Sequence, residues 1–98
     1  MIAYTSTLTW DEVVWVIRRV LGFDDALNQG AKLLSFPNLI FVEVDKLVVA
    51  RAQKLLEEYG LRPRGAIHVA SALKKGVKEI VSDDKDLDKV KEMERIPL

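Results

Sequence analysis

With 98 residues, 49% apolar and 31% charged, the chain suits one small folded domain and not a disordered segment. Its 15 basic residues balance 15 acidic ones, so no overall footprint for nucleic acid or membrane follows, and any polyanion site has to be local. The lack of cysteine excludes disulfides and thiolate metal sites, the longest strongly apolar run (13–17) is too short to span a bilayer, and no signal-peptide pattern opens the chain, so a cytoplasmic protein is expected.

The segment IAYTS (2–6) reads as a short strand. In the helix that follows, Trp10, Val13, Val14, Ile17 and Leu21 share one face, Thr9 and Glu12 stand at capping-box spacing, and Gly22 marks the stop. Trp15, Val16 and Val20 make a second apolar face, which calls for a second partner, one candidate being another chain. DDALNQGAKLLSF (24–36) forms a second helix ending before Pro37, and LIFVEV (39–44) is a strand by its β-branched and aromatic content. Asp45 caps the helix 46–59, on which Val48, Ala52, Leu55 and Tyr59 share a face, and Gly60 closes it. Pro63 suits the first turn of the next helix, which runs through Leu73 and stops at Gly76; its small residues Ala66, Ala70, Ser71 and Ala72 permit close packing on a sheet. KEIVS (78–82) is a short strand, DDKDLDKV (83–90) a loop leading into a last short helix, and ERIPL (94–98) a terminal strand. Strands alternating with helices predict an α/β domain with a largely parallel sheet flanked by helices. Few Met, Asn and Gln beside many Lys and Glu suggest a heat-adapted source.

In such sheets ligands bind beyond the carboxyl ends of the strands. Glu12 lies there after the first strand, and Asp83, Asp84, Asp86 and Asp88 follow the strand 78–82. Carboxylates converging from separate strand ends suit Mg²⁺ or Mn²⁺, which activate water and offset charge on a phosphodiester. A plainer account makes Glu12 part of the capping box and the aspartates a helix cap, although four aspartates in six residues exceed what one cap needs. Ser6 and Thr5, at a strand end, serve either a turn or a bound water or phosphate. His68 reads as a structural residue, Trp10 and Trp15 as core or interface, and Arg62, Arg64, Lys74, Lys75 and Lys78 as a solvated face. Gly65 is unexplained by any of this: in the first turn of a helix it costs about 1 kcal/mol relative to alanine.

Taken together, these segments resemble the PIN-domain family, in particular VapC-type toxins of toxin–antitoxin pairs. TSTLTWDEVVWVI resembles the family's second acidic motif, with Glu12 at the glutamate position. LRPRGAIHVASALKKGVKEIVSDDKDLDKV resembles its third and fourth motifs, which places Ser82 at the hydroxyl position, Asp84 at the main carboxylate and Asp86 at the accessory one, with Leu87 for the usual Phe. The family has an aspartate where this chain has Gly65, and begins with a central strand, carrying its first aspartate, that has no counterpart before IAYTS. The resemblance therefore implies an N-terminally truncated, PIN-like three-layer fold over 1–98.

It further implies metal-dependent hydrolysis of single-stranded RNA. Glu12, Asp84 and Asp86 would hold Mg²⁺ or Mn²⁺, and Ser6 and Ser82 would orient water and carboxylates. With two of four acidic positions missing, weak metal binding and an inactive or impaired chain are expected. Two unpaired sheet edges and a doubly apolar first helix favour a homodimer, with strand or helix exchange as one route. The rival readings are a non-catalytic dimerisation or antitoxin-binding module, a fragment of a longer nuclease, and an unrelated acidic phosphoryl-transfer domain.

Overall fold

The computed structural model describes residues 2–97, so Met1 and Leu98, the last residue of the expected strand 94–98, lie outside the described residues. Its elements run β1 (Ala3–Ser6), α1 (Leu8–Leu21), α2 (Phe23–Leu34), β2 (Leu39–Val42), α3 (Lys46–Tyr59), α4 (Pro63–Lys74), β3 (Glu79–Val81), a 3-10 turn (Lys85–Lys89) and β4 (Glu94–Ile96). The mixed α/β class and parallel strands agree with the sequence pattern.

Local chemistry explains most boundaries. Asp45 Oδ1 accepts from the Val48 N–H at 2.9 Å and starts α3, and Gly60 ends it in the left-handed region at φ 67°. Lys74 Nζ lies 3.0 Å from Asp45 Oδ2, tying the end of α4 to the start of α3. The start of α1 departs from expectation. The helix begins at Leu8 with Thr7 at the cap position and no side-chain cap, while the Thr9 hydroxyl pairs with that of Thr5 at 2.7 Å. The expected capping box of Thr9 and Glu12 does not form, which leaves the Glu12 carboxylate for another partner.

The strands are parallel, as expected, but do not form one continuous sheet: β1 pairs with β2 and β3 with β4 in two separate parallel ladders, which leaves the two unpaired edges expected from the sequence. A strand in a parallel ladder turns alternate peptide groups to either side. The Ala3 N–H donates to Asn38 and the Thr7 N–H to Val42, so the peptide groups of Tyr4 and Ser6 point away from β2. Glu94 N–H to Lys78 and Ser82 N–H to Ile96 likewise turn Glu79 and Val81 away from β4. Among the described residues no strand hydrogen-bonds to these two edges. What joins the ladders is α4, which packs on both β1 and β3.

The core lies beneath α4. Val48, Ala52 and Leu55 of α3, Leu61 of the loop that follows, Ala66, Val69 and Ala70 of α4, and Leu87, Val90 and Met93 beyond β3 form one buried cluster. The small residues of α4 allow this close approach, with the Ser71 hydroxyl satisfied by the Ile67 carbonyl at 2.8 Å. Of the expected layers, only the α3–α4 side is well buried. The hairpin of α1 and α2 packs on itself, with Trp10 and Val14 lying over Gly30, and α1 has no buried residue.

Candidate functional site

Two strand ends meet at the start of α4. β1 ends at Ser6, whose hydroxyl oxygen lies 3.1 Å from His68 Nδ1. β3 leads to Asp84, whose Oδ2 lies 3.4 Å from where a Cβ on Gly65 would stand. The carboxyl ends of β1 and β3 therefore flank the first turns of one helix.

Glu12 reaches the same turns from α1. Its Oε1 lies 2.7 Å from His68 Nε2 and its Oε2 4.0 Å from Arg64 Nε. The longer contact is a weak, solvent-screened one, since the Arg64 side chain is 67% exposed. Because α1 starts at Leu8, Glu12 sits in its second turn, where a carboxylate is free to reach across to α4 instead of capping its own helix.

Asp84 is held by its neighbours. Its N–H donates to Ser82 Oγ at 3.0 Å, and its Oδ1 accepts from the Asp86 N–H at 3.0 Å, which starts the 3-10 turn. One carboxylate oxygen is thus a cap while the other faces Gly65. The rest of the acidic run divides by partner. Asp86 Oδ1 lies 3.5 Å from Lys89 Nζ. Asp88 takes two bonds from Arg95, at 2.8 and 3.2 Å, which hold its carboxyl below the ordinary carboxylate value. Arg95 also donates to the Ser82 carbonyl at 2.9 Å, so Asp88 fastens the turn to β4.

The structure thus places Glu12 on His68 and Arg64 and Asp84 beside Gly65, all at the first turns of α4, with Ser6 on His68 and Ser82 behind Asp84, and gives Asp86 a lysine partner. Among the described residues no group of three or more His, Asp or Glu is placed to hold a metal. Glu12 Oε2, on the Arg64 side, and Asp84 Oδ2, on the Gly65 side, are the carboxylate oxygens that the bonds to His68 and to the Asp86 N–H leave over. Two protein oxygens match the sparse set with which Mg²⁺ is held when water and phosphate supply the rest. Held by so few protein oxygens, such an ion would bind weakly. His68 is the residue that sequence reasoning undervalued; its place one turn after Gly65 on the same helix face was the available signal.

The family model described as PIN domain matches residues 2–93. No curated protein matches the sequence. Among solved structures, a chain described as a toxin–antitoxin complex from Klebsiella pneumoniae superimposes with a TM-score of 0.68 over 91% of this chain and 69% of that one, at 18% identity, a likeness of fold alone. With residues 2–93 matched by that family model, this chain belongs to the PIN-domain family.

Proposed function

We propose that this chain is a PIN domain of the VapC-type ribonuclease lineage in which metal binding, and with it RNA cleavage, is impaired. The observation that carries the reading is the approach of Glu12 and Asp84 to one turn of α4 around Gly65, a residue with no ligand to offer. Glu12 and Asp84 would hold the ion, Asp86 would act as an accessory carboxylate once released from Lys89, Ser82 orients Asp84, and Ser6 acts on Glu12 through His68. A bound Mg²⁺ or Mn²⁺ would supply an activated water and offset charge on the scissile phosphodiester. The test is Mn²⁺-dependent cleavage of single-stranded RNA. The unaltered chain is expected to cut negligibly, Gly65→Asp to gain activity, and Asp84→Asn in that background to lose it again. Efficient cleavage by the unaltered chain would overturn the impairment, and no gain on Gly65→Asp would overturn the site.

A second reading, a dimerising or antitoxin-binding module, is favoured by the α1–α2 hairpin, where Val20 is 74%, Leu21 63%, Leu34 60% and Phe36 61% exposed. An apolar surface of this kind suits a second copy of the chain or the apolar face of an antitoxin. The toxin–antitoxin setting of the structural neighbour agrees with such a partner. Sedimentation equilibrium is expected to show a homodimer that Val20→Lys returns to monomer. A monomer at all concentrations would remove the self-association. No helix among the described residues is long and apolar enough to cross a membrane, and a cytoplasmic location is part of the proposal.

A further inference from the structure

Three side chains far apart in sequence form one hydrogen-bonded chain. Ser6 Oγ lies 3.1 Å from His68 Nδ1 and His68 Nε2 2.7 Å from Glu12 Oε1, across separations of 62 and 56 residues. Serine, histidine and a carboxylate in this order suggest a nucleophile and its base. Burial argues otherwise: Ser6 is 1% exposed, at the end of β1 beneath α4, whereas the side chains of His68 and Glu12 are 26% and 28% exposed. The end of the chain that meets other molecules is the glutamate.

Proton bookkeeping gives each member a task. An ionised carboxylate only accepts, so the proton between His68 and Glu12 sits on Nε2. A neutral imidazole with Nε2–H leaves Nδ1 as an acceptor, and the Ser6 hydroxyl donates to it. The carboxylate therefore sets the neutral tautomer, and the Ser6 hydroxyl, able to donate or accept, donates to Nδ1 and holds the ring's rotation. With both nitrogens engaged, by a strand residue on one side and a helix residue on the other, the ring cannot turn without breaking a bond. Glu12, otherwise a partly exposed side chain with three rotatable bonds, is fixed at the first turns of α4 with Oε2 on the Arg64 side.

We infer that His68 is a positioning residue, keyed by the buried Ser6 hydroxyl, that aims the Glu12 carboxylate across the start of α4. Its consequence for a cation rests on the metal-binding reading above; the positioning itself does not. Groups standing behind a ligand in this way typically change metal affinity about 10- to 100-fold when removed.

The experiment is NMR of the full chain at about pH 8, above the ordinary imidazole value, observing the His68 ring nitrogens and the Glu12 carboxyl carbon, with Mn²⁺-induced broadening as the binding readout. In the unaltered chain His68 is expected to carry its proton on Nε2 alone. Ser6→Ala, checked for folding by thermal unfolding, is expected to shift the Nδ1 resonance as its donor is lost, to move the Glu12 carboxyl resonance, and to need about 10-fold more Mn²⁺ for the same broadening. Ser6→Thr, which keeps the hydroxyl, should restore all three. A proton on Nδ1 in the unaltered chain would overturn the inference, as would a Ser6→Ala chain with Glu12 unmoved; Mn²⁺ bound as tightly as before would overturn its consequence for the cation. If no variant responds to Mn²⁺, the metal-binding reading fails, and the ring and carboxyl spectra decide the positioning by themselves.

Discussion

Gly65→Asp tests the site most sharply because its cost and its rescue have different origins. A Cβ at this position would stand 3.3 Å from Leu87 Cδ2 and 3.4 Å from Asp84 Oδ2. The first contact asks Leu87, only 2% exposed, to give by a few tenths of an ångström. The second brings a new carboxylate to about 5 Å from that of Asp84, a repulsion of about 1 kcal/mol with full water screening and about 3 kcal/mol at an effective dielectric of about 20. Removing a helical glycine returns about 0.3 kcal/mol, and an acid in a first turn about 0.5 kcal/mol. The balance is a loss of about 1–2 kcal/mol without metal, or about 5–15 °C in Tm for a chain of this size. Mn²⁺ at about 100 times its Kd adds about 2.7 kcal/mol, enough to reverse that loss. Thermal unfolding in EDTA and in Mn²⁺ measures both quantities. Equal Mn²⁺-induced shifts in the unaltered and variant chains would refute the reasoning, since the added carboxylate would then not be facing a shared ion.

Gly30→Ala should loosen the α1–α2 hairpin, because a Cβ there would stand 3.0 Å from Val14 Cγ2 and 3.1 Å from Trp10 Nε1; a loss of about 1–3 kcal/mol in urea unfolding is expected. Leu87→Ala empties a buried position between α4 and the 3-10 turn and should cost about 2–5 kcal/mol by the same measurement. Acid should destabilise the fold through two carboxylates. The Val48 N–H and then Lys74 hold Asp45 below its ordinary value of 3.8, and Arg95 does the same for Asp88. A carboxyl lowered by folding adds stability that is complete above its unfolded value and disappears as pH falls through its folded one. Stability should therefore be level near neutrality and fall below about pH 4. Asp88→Asn should flatten part of that fall in a pH series of Tm values, and salt should weaken the effect because both groups are exposed.

The elements were legible where the chain carries its own punctuation. Asp45 and Gly60 bound α3, Pro63 starts α4, and the β-branched run at 39–42 is β2, since caps, proline and side-chain branching act within a few residues. Glu12 was harder. The Thr9–Glu12 spacing describes a local bond, but the carboxylate takes a partner 56 residues away, and His68, read as a bland helical residue, becomes that partner only once β1 and α4 are packed together. The role of Gly65 was visible only through the family resemblance, because a missing side chain leaves no pattern. The division into two ladders was legible only through the same resemblance, whose missing central strand leaves two unpaired edges: the strands 2–6 and 78–82 each look ready to pair, and nothing in either tells whether they will be neighbours.

That division decides what sets the width of the site. In an unbroken sheet, strand ends are spaced by a fixed backbone rung of about 4.8 Å, and groups mounted on them inherit that spacing. Here the mount behind Glu12 and the mount behind Asp84 belong to different ladders, and α4 packs on both. In the proposed site the separation of the two carboxylates is thus gauged by how a helix of small side chains seats in its bed, so a single methylene added at Ala66 or Ala70, each fully buried, would reset that aperture without touching either acid.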